Sequence, residues 1–472
     1  MAQAESTLLP PRLPLVVPAS NRNADTHKDA KLVNCYMETS PEGELFIYKR
    51  PGLANAYPVV PDQPGRGAYY WKGHVYSIFG NTIFKDGIAV QAGLEATGGV
   101  YRFDSNLGAT PKLIFGNGKA TYTIDEADVV SASIHSIDNN YPETTVKGFA
   151  YLGGYTFVMT PGAYIHGSAL NSIDQNGDWD PANFIRAQIE PDDGVFTAKQ
   201  LVYVVAFKQW STEFFFLQDN PVGSPLGSVQ GMKIAYGCAN QDSVRSIDDV
   251  LFWLCTNRNA SLQVMSMTQG ATEIVSTPAI DRLLANIDTS VVYSWNLKIT
   301  GHSFYVLTFP ESNLTISYDI VQKQWFYWTN AQGNHFEIID CTYDAQGRHI
   351  LQHATNGRMY YCDVIYYRDL DEPIVVDIIT PVFDAGTRRR KQLNRLEVIA
   401  DQVPGSVLLV RCNDKDYKES EWQDWRRVDL SVEHPILVNC GTFSKRAYHL
   451  RHQGDTPFRI QALEVQYDIG TL

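Results

Sequence analysis

One pattern constrains this chain more than any other: a β-hairpin that recurs. In "GHSFYVLTFPESNLTISYDIVQKQWFYW", Gly301 to Trp328, Leu314, Ile316, Tyr318 and Ile320 alternate with Thr315, Ser317 and Asp319. Period-two alternation gives an extended chain one apolar and one polar face. Comparable hairpins turn near residues 80, 117, 161, 211, 258, 312 and 356, at gaps of 37 to 54 residues. Asn117-Gly118 and Asn356-Gly357 supply the positive φ angles that a two-residue type I′ turn demands. A repeat of about 40–50 residues carrying several short strands is the mark of a β-propeller blade. A single blade leaves both faces wet, whereas blades closed into a ring bury those faces against their neighbours. The fold class expected is mainly β, a propeller of six or seven blades over residues 63–378. Stacked β-sandwiches are the competing architecture; their strands also alternate, but nothing in them requires a hairpin at this spacing.

The flanks differ. Residues 1–62 form an arm with little core of its own: a polar lead, a short strand at Leu32–Met37, a turn, and a strand at Glu44–Lys49. Residues 379–472 form a C-terminal antiparallel β domain, in which Ile460, Leu463, Val465 and Tyr467 carry much of the apolar pattern, with an irregularity near Ala462. One helix interrupts the strands. In "STPAIDRLLANI", Thr277 is the N-cap, Pro278 takes the first position, and Ile280, Leu283, Leu284 and Ile287 form a stripe that packs on a blade.

Charge narrows the function. The formal net charge is −13, yet residues 381–472 carry 14 basic against 13 acidic groups, so the acid lies in the rest. That balance argues against a general nucleic-acid binder, which needs a basic footprint. No apolar run reaches the roughly 18 residues of a membrane span. The first residues lack a basic start and are broken by Pro10, Pro11 and Pro14, so no secretory signal is expected. Seven scattered cysteines without C-x-x-C spacing read as free thiols.

No stretch carries recognisable chemistry, and no cofactor or metal is expected. Asp174, Asn176, Asp178 and Asp180 alternate like a calcium loop, but Trp179 and Ile185 stand where an EF-hand needs Gly and Glu. An Asx-rich surface loop is the plainer reading. Asp192 and Asp193, between Pro191 and Gly194, read as turn residues. Trp422 and Trp425 are either core packing or a sugar platform. The basic run Arg388, Arg389, Arg390 and Lys391 is either a solvated junction or a docking patch that pairs with carboxylates.

Several ordered stretches resemble the tail nozzle proteins of short-tailed bacteriophages, also called tail-hub or packaged-DNA-stabilisation proteins. These are "LVNCYMETSPEG" followed by "KRPGL", "WDPANFIRAQIEPDDGV" followed by "VVAFKQWSTEFFF", "GATEIVSTPAIDRLLA", and "PVFDAGTRRRKQLNRLEVIAD". The resemblance implies a structural virion protein rather than an enzyme. It implies a homo-oligomeric ring, a hexamer, below the portal and its head-to-tail adaptor. The propellers would form the nozzle wall, and the arm and C-terminal domain a platform facing the adaptor. The ring would retain packaged double-stranded DNA, conduct it at infection, and carry tail fibres or tailspikes and a needle or plug. It would be assembled in the host cytoplasm, reside in the virion tail, and insert into no membrane itself. An acidic lumen would resist sticking to phosphate. The rival from another class is a propeller carbohydrate-binding protein or a glycosidase, whose separated carboxylates could hide among 52 acids.

Overall fold

Each of the seven recurrent turns joins the second and third strands of one antiparallel sheet. The computed structural model describes residues 11–13, 15–16, 30–60, 63–218, 220, 222–259 and 261–470; the arm's polar lead, residues 21–29, lies outside the described residues. Blades 1 (Gly65–Trp71 to Ile88–Ala92), 3 (Ala150–Leu152 to Phe184–Arg186) and 4 (Gly194–Gln200 to Leu226–Ile234) are four-stranded sheets, blade 5 (Gly237–Cys238 and Arg245–Ile247 to Ala271–Ile274) has five strands, and blades 6 (Tyr293–Ile299 to Gln324–Tyr327) and 7 are four-stranded parts of sheets of nine and six strands. Between the first two full blades lies a three-stranded wedge, blade 2, Arg102–Ser105 to Thr121–Ile124. The fold is a β-propeller.

Neighbouring blades are stitched in chain order. Tyr101 N donates to Arg66 O at 2.7 Å, Tyr151 N to Asp104 Oδ2 at 3.2 Å and Thr197 N to Lys147 O at 3.1 Å. Gln200 Nε2 donates to Met267 O at 2.7 Å and Tyr305 Oη to Ser243 O at 2.5 Å. Closure comes where Gln352 of blade 7 accepts from Gly67 N at 2.7 Å and donates to Ile78 O at 2.9 Å. Apolar clusters fill the clefts: Phe196, Phe207, Phe214, Trp253 and Met267 between blades 4 and 5, for example. Blade 7 takes Ile338–Tyr343, His349–His353 and Met359–Asp363 from the end of the propeller, and its fourth strand, Gly52–Asn55, from the arm.

The Asn-Gly turns hold, but not as type I′. Gly118 and Gly357 have positive φ, whereas Asn117 and Asn356 do not. Each Asn side chain instead accepts backbone N–H groups ahead of it, from Lys119 and Ala120 and from Arg358 respectively. The loops are longer than two residues, so an Asx turn replaces the tight one. The helix spans Pro278–Leu284, Thr277 caps Ile280 N, and Ile280 and Leu284 pack with Phe252, Tyr305 and Trp325 in the cleft of blades 5 and 6.

The strand expected at Leu32–Met37 is two strands. Asn34 has φ +53 and lies between Lys31–Val33 and Cys35–Thr39. The first joins a sheet with Val376–Ile379, Ala447–His452, Val407–Asn413 and Arg426–Asp429, continuous with blade 6 through Val33 beside Tyr327. The second joins Leu45–Lys49, Arg459–Ile469, Lys391–Ala400 and Ile436–Val438. The two sheets enclose one core that includes Leu32, Ile47, Ile378, Leu396, Leu450 and Leu463. The irregularity near Ala462 is a register shift: Ile399 pairs with Ala462 and Ala400 with Ile460.

This platform core holds a neutral imidazole. His452 is fully buried, stacks on Phe458 with centroids 4.6 Å apart, and its Nε2 faces Ser406 Oγ and Thr456 Oγ1, each at 3.2 Å. Burial, with the nearby Lys49 charge, pushes its pKa down to about 3. Unfolded, it would titrate near 6.5, so below that pH the unfolded state binds a proton the folded state refuses. Stability contributed here is therefore present above pH ~6.5 and is lost as pH falls toward 3. At pH 5 the expected loss is about 2 kcal/mol. Urea unfolding at pH 7 and pH 5 checks it, and His452→Gln should flatten the difference.

Candidate functional site

The propeller's innermost strands converge on its axis. With the residues that lead into them they line a funnel of about 500 Å³, with Tyr69, Tyr70, Phe103, Phe149 and Tyr343 among its walls. The opposite end is bridged by charged side chains. Asp242 sits in a 3-10 turn whose cap, Asn240, accepts from Asp242 N at 2.8 Å. Arg102 of blade 2 donates through Nη2 to Asp242 O at 2.8 Å and to its Oδ1 at 3.3 Å. Lys147, at the entry to blade 3, donates to Asp242 Oδ2 at 2.7 Å. Arg245 of blade 5 reaches Asp340 of blade 7 at 2.9 Å, and Asp340 Oδ2 also accepts from Ala68 N at 3.1 Å. Blades 2 and 5 face each other across the ring, so these bonds span the axis and close it.

None of these five residues stood out in the sequence. They come from four blades, 2, 3, 5 and 7, with Asp242 and Arg245 both from blade 5. Superposing the hairpin repeats in register was the one signal that would have grouped them.

The funnel's carboxylates are occupied by the fold. Asp340 is held as above. Asp104 accepts from Ser105 N at 2.8 Å and Tyr151 N at 3.2 Å, while burial raises its pKa to about 6. The calcium-like loop is similarly committed: Asp174 Oδ2 accepts from Lys112 Nζ and Thr123 Oγ1, Asp178 Oδ2 from Ser172 Oγ and Gln175 N, and Asp180 Oδ1 from Ala182 N. Among the described residues no group of three or more His, Cys, Asp or Glu is placed to hold a metal.

Asp192 is more than a turn residue. Its side chain is buried with Glu213 around the fully buried Lys208, whose Nζ lies 2.9 Å from Asp192 Oδ1, 2.6 Å from Glu213 Oε1 and 2.7 Å from Glu190 O. Against burial, which raises it, hydrogen bonds from Lys208, Trp210 N and Ser211 hold the Asp192 carboxyl below its usual range. Trp422 and Trp425 flank the Arg411 guanidinium at 5.0 and 4.5 Å. Arg411 Nε donates to His449 Nδ1 at 3.1 Å, and His449 Nε2 to Asp377 at 2.7 Å, so the tryptophans finish a half-buried cation stack.

The structure separates the basic run. Arg388, Arg389 and Arg390 are exposed. Lys391 is fully buried and donates to Thr387 O, Arg389 O and Ser444 O at 2.5, 2.9 and 2.8 Å. Replacing the three arginines by Ser should shift stability by no more than about 0.5 kcal/mol. Lys391→Ser should cost about 2–3 kcal/mol, because three carbonyls lose a charged donor. Denaturant midpoints of the two variants check the contrast.

Comparison with known proteins places the architecture. No helix among the described residues is long and apolar enough to cross a membrane. Solved structures with similar outlines include the N-terminal domain of Nup159 (10% identity, 71% of this chain and 98% of that one, TM-score 0.39). Others are the computationally designed Ika8 protein (8%, 65% and 99%, TM-score 0.40) and the extracellular domain of the putative hybrid two-component system BT4673 from B. thetaiotaomicron (8%, 82% and 47%, TM-score 0.43). At TM-scores below 0.5 these likenesses add nothing to the assignment. No curated protein sequence matches the chain. The family model described as bacteriophage P22 Gp10, beta-propeller, matches residues 12–365. That match takes in all seven blades, the helix, and the arm strands that join the platform, and the chain belongs to this family of phage tail structural proteins.

Proposed function

We propose that this protein is the subunit of the tail nozzle of a short-tailed phage, with no enzymatic role. Six copies surround a common lumen, dock on the portal–adaptor complex, retain packaged DNA and conduct it at infection. The same hub anchors tail fibres or tailspikes and seats the needle or plug, and it is assembled in the host cytoplasm before joining the virion tail. The observation that carries this reading is the bridged propeller axis. A subunit whose own axis is crossed by Arg102–Asp242 and Arg245–Asp340 cannot pass a duplex through itself, so a conduit built from it runs between copies, with each propeller as a section of wall.

A stiff junction suits that role. Arg50 of the arm is buried against blades 6 and 7 and ties the platform to the ring through Asn34, Thr329 O and Asp369. The exposed Arg388, Arg389 and Arg390 are the proposed docking patch for the adaptor or a neighbouring subunit, by forked pairing with carboxylates. Acidic residues of the propeller face the lumen, where they limit adhesion of the passing DNA. Cryo-electron microscopy of intact particles tests the reading. The expected map shows a ring of this chain on the tail axis with an acidic lumen between copies. A map that threads the duplex through a single propeller, lines the lumen mainly with Lys and Arg, or places the chain off the axis would overturn it.

A further inference from the structure

The platform strand Arg459–Ile469 ends with one bare edge. Lys391–Ala400 pairs along one side of it as far as Ile469. The other side is covered by Leu45–Lys49 at Arg459 and Ile460, and by Arg12–Leu13 at Leu463 and Glu464. Val465 N then donates to Pro11 O at 3.1 Å, and among the described residues no strand pairs with this side beyond it. Backbone groups of successive residues point to opposite sides of a strand. Gly470 N donates to Arg390 O on the covered side, so Val465, Tyr467 and Ile469 face the bare one. The N–H and C=O groups of Tyr467 and Ile469 thus form an open edge, a template for one more strand.

The chain itself arrives at this edge. Arg12 is held by Glu44 and Glu464 at 3.2 and 3.9 Å, and residues 1–10, which lie outside the described residues, precede Pro11. The pairs Leu13 with Leu463 and Arg12 with Glu464 extrapolate to Pro10 opposite Gln466, Leu9 opposite Tyr467, Leu8 opposite Asp468 and Thr7 opposite Ile469. The sequence suits that register. At Pro10 the missing N–H belongs on the side away from Tyr467, which is where an edge strand tolerates proline. Leu9 falls on the same face as Leu13 and Leu463, both in the platform core, and so over the half-buried Tyr467 ring, whose other contact is Phe383 at 5.9 Å.

We infer that Thr7–Pro10 of this chain docks on the bare edge as a further strand, Leu9 exchanging both backbone hydrogen bonds with Tyr467 and its side chain closing over that ring. A sister copy's segment carries the same backbone groups, but only the chain's own is delivered in register by Pro11–Leu13. The docking completes the platform of a single chain, so it stands or falls separately from the nozzle assignment.

Two measurements test it. The first is hydrogen exchange, read by mass spectrometry, of the full-length protein and of a variant lacking residues 2–9. The Tyr467 and Ile469 amides should exchange about tenfold or more faster in the shortened chain. Equal exchange overturns the inference. The second is cross-linking of the full-length chain with oxidised glutathione. Leu8→Cys and Asp468→Cys stand opposite at a non-hydrogen-bonded site, with Cα atoms about 4.5 Å apart, within disulfide reach. They should link within one chain. Leu8→Cys with Gln466→Cys, a diagonal pair about 7–8 Å apart, should not. A link formed only between two chains would assign the edge to a sister copy. That result, no link, or equal linking of both pairs would each overturn the inference.

Discussion

Arg50→Ala should destabilise the junction of arm, ring and platform by about 3–5 kcal/mol, because it strands partners that cannot return to water. All five guanidinium N–H groups are spent. Nε donates to Asn34 Oδ1 at 3.0 Å; Nη1 to Pro51 O and Asp369 Oδ1, both at 3.0 Å; Nη2 to Thr329 O at 3.1 Å and Asp369 Oδ2 at 2.5 Å. The guanidinium also lies 4.4 Å over the Phe336 ring. Asn34, fully buried, is satisfied in turn by bonds to Thr329 and Val375 O, so truncation undoes two levels of structure. Arg50→Lys keeps the charge but not the fork, and should recover less than half of the loss. Limited proteolysis within residues 30–50 and denaturant unfolding read the effect. A shift below about 1 kcal/mol would show that Asp369 and Asn34 find other partners.

A loss of similar size is expected from Lys208→Met. That change leaves Asp192 and Glu213 facing each other with side chains at most 1% exposed. Breaking a buried ion pair from one side costs about 3–5 kcal/mol, whereas removing all the charges together is often close to neutral. The triple variant Lys208→Met, Asp192→Asn, Glu213→Gln should therefore recover most of the stability lost by the single one. If the triple variant is no more stable than the single, the cost lies in packing around the lysine stem rather than in stranded charge. Thermal unfolding of both proteins separates the cases.

These two knots explain why the family resemblance lay in stretches without evident chemistry. "LVNCY" and "KRPGL" supply Asn34 and Arg50, which meet each other and Asp369; "EPDDGV" and "FKQWSTE" supply Asp192, Lys208 and Glu213. The ring itself was legible because each blade is local. A hairpin's alternation and turn lie within about 20 residues, and seven copies reinforce one another. The platform was not, since its pairings join residues hundreds of positions apart, such as Ile47 with Ile460, and no periodicity announces a partner. Nor did the strand break at Asn34 show, because Leu32 to Met37 alternates acceptably without it. Lys391 was misgrouped with the arginines before it by reading charge alone. Alternation from Leu393 backwards would have placed it on the inward face, where it lies.

The strand Gly52–Asn55 ends by imposing a schedule on the ribosome's product. It is made early, but its partner Met359–Asp363 emerges some 300 residues later, about 15–60 s at ordinary elongation rates. Until then the circle is an open chain of wedges with raw edges at both ends. A truncated or stalled polypeptide that lacks Met359–Asp363 therefore cannot close the circle of blades, and keeps the unpaired strand edges that closure removes.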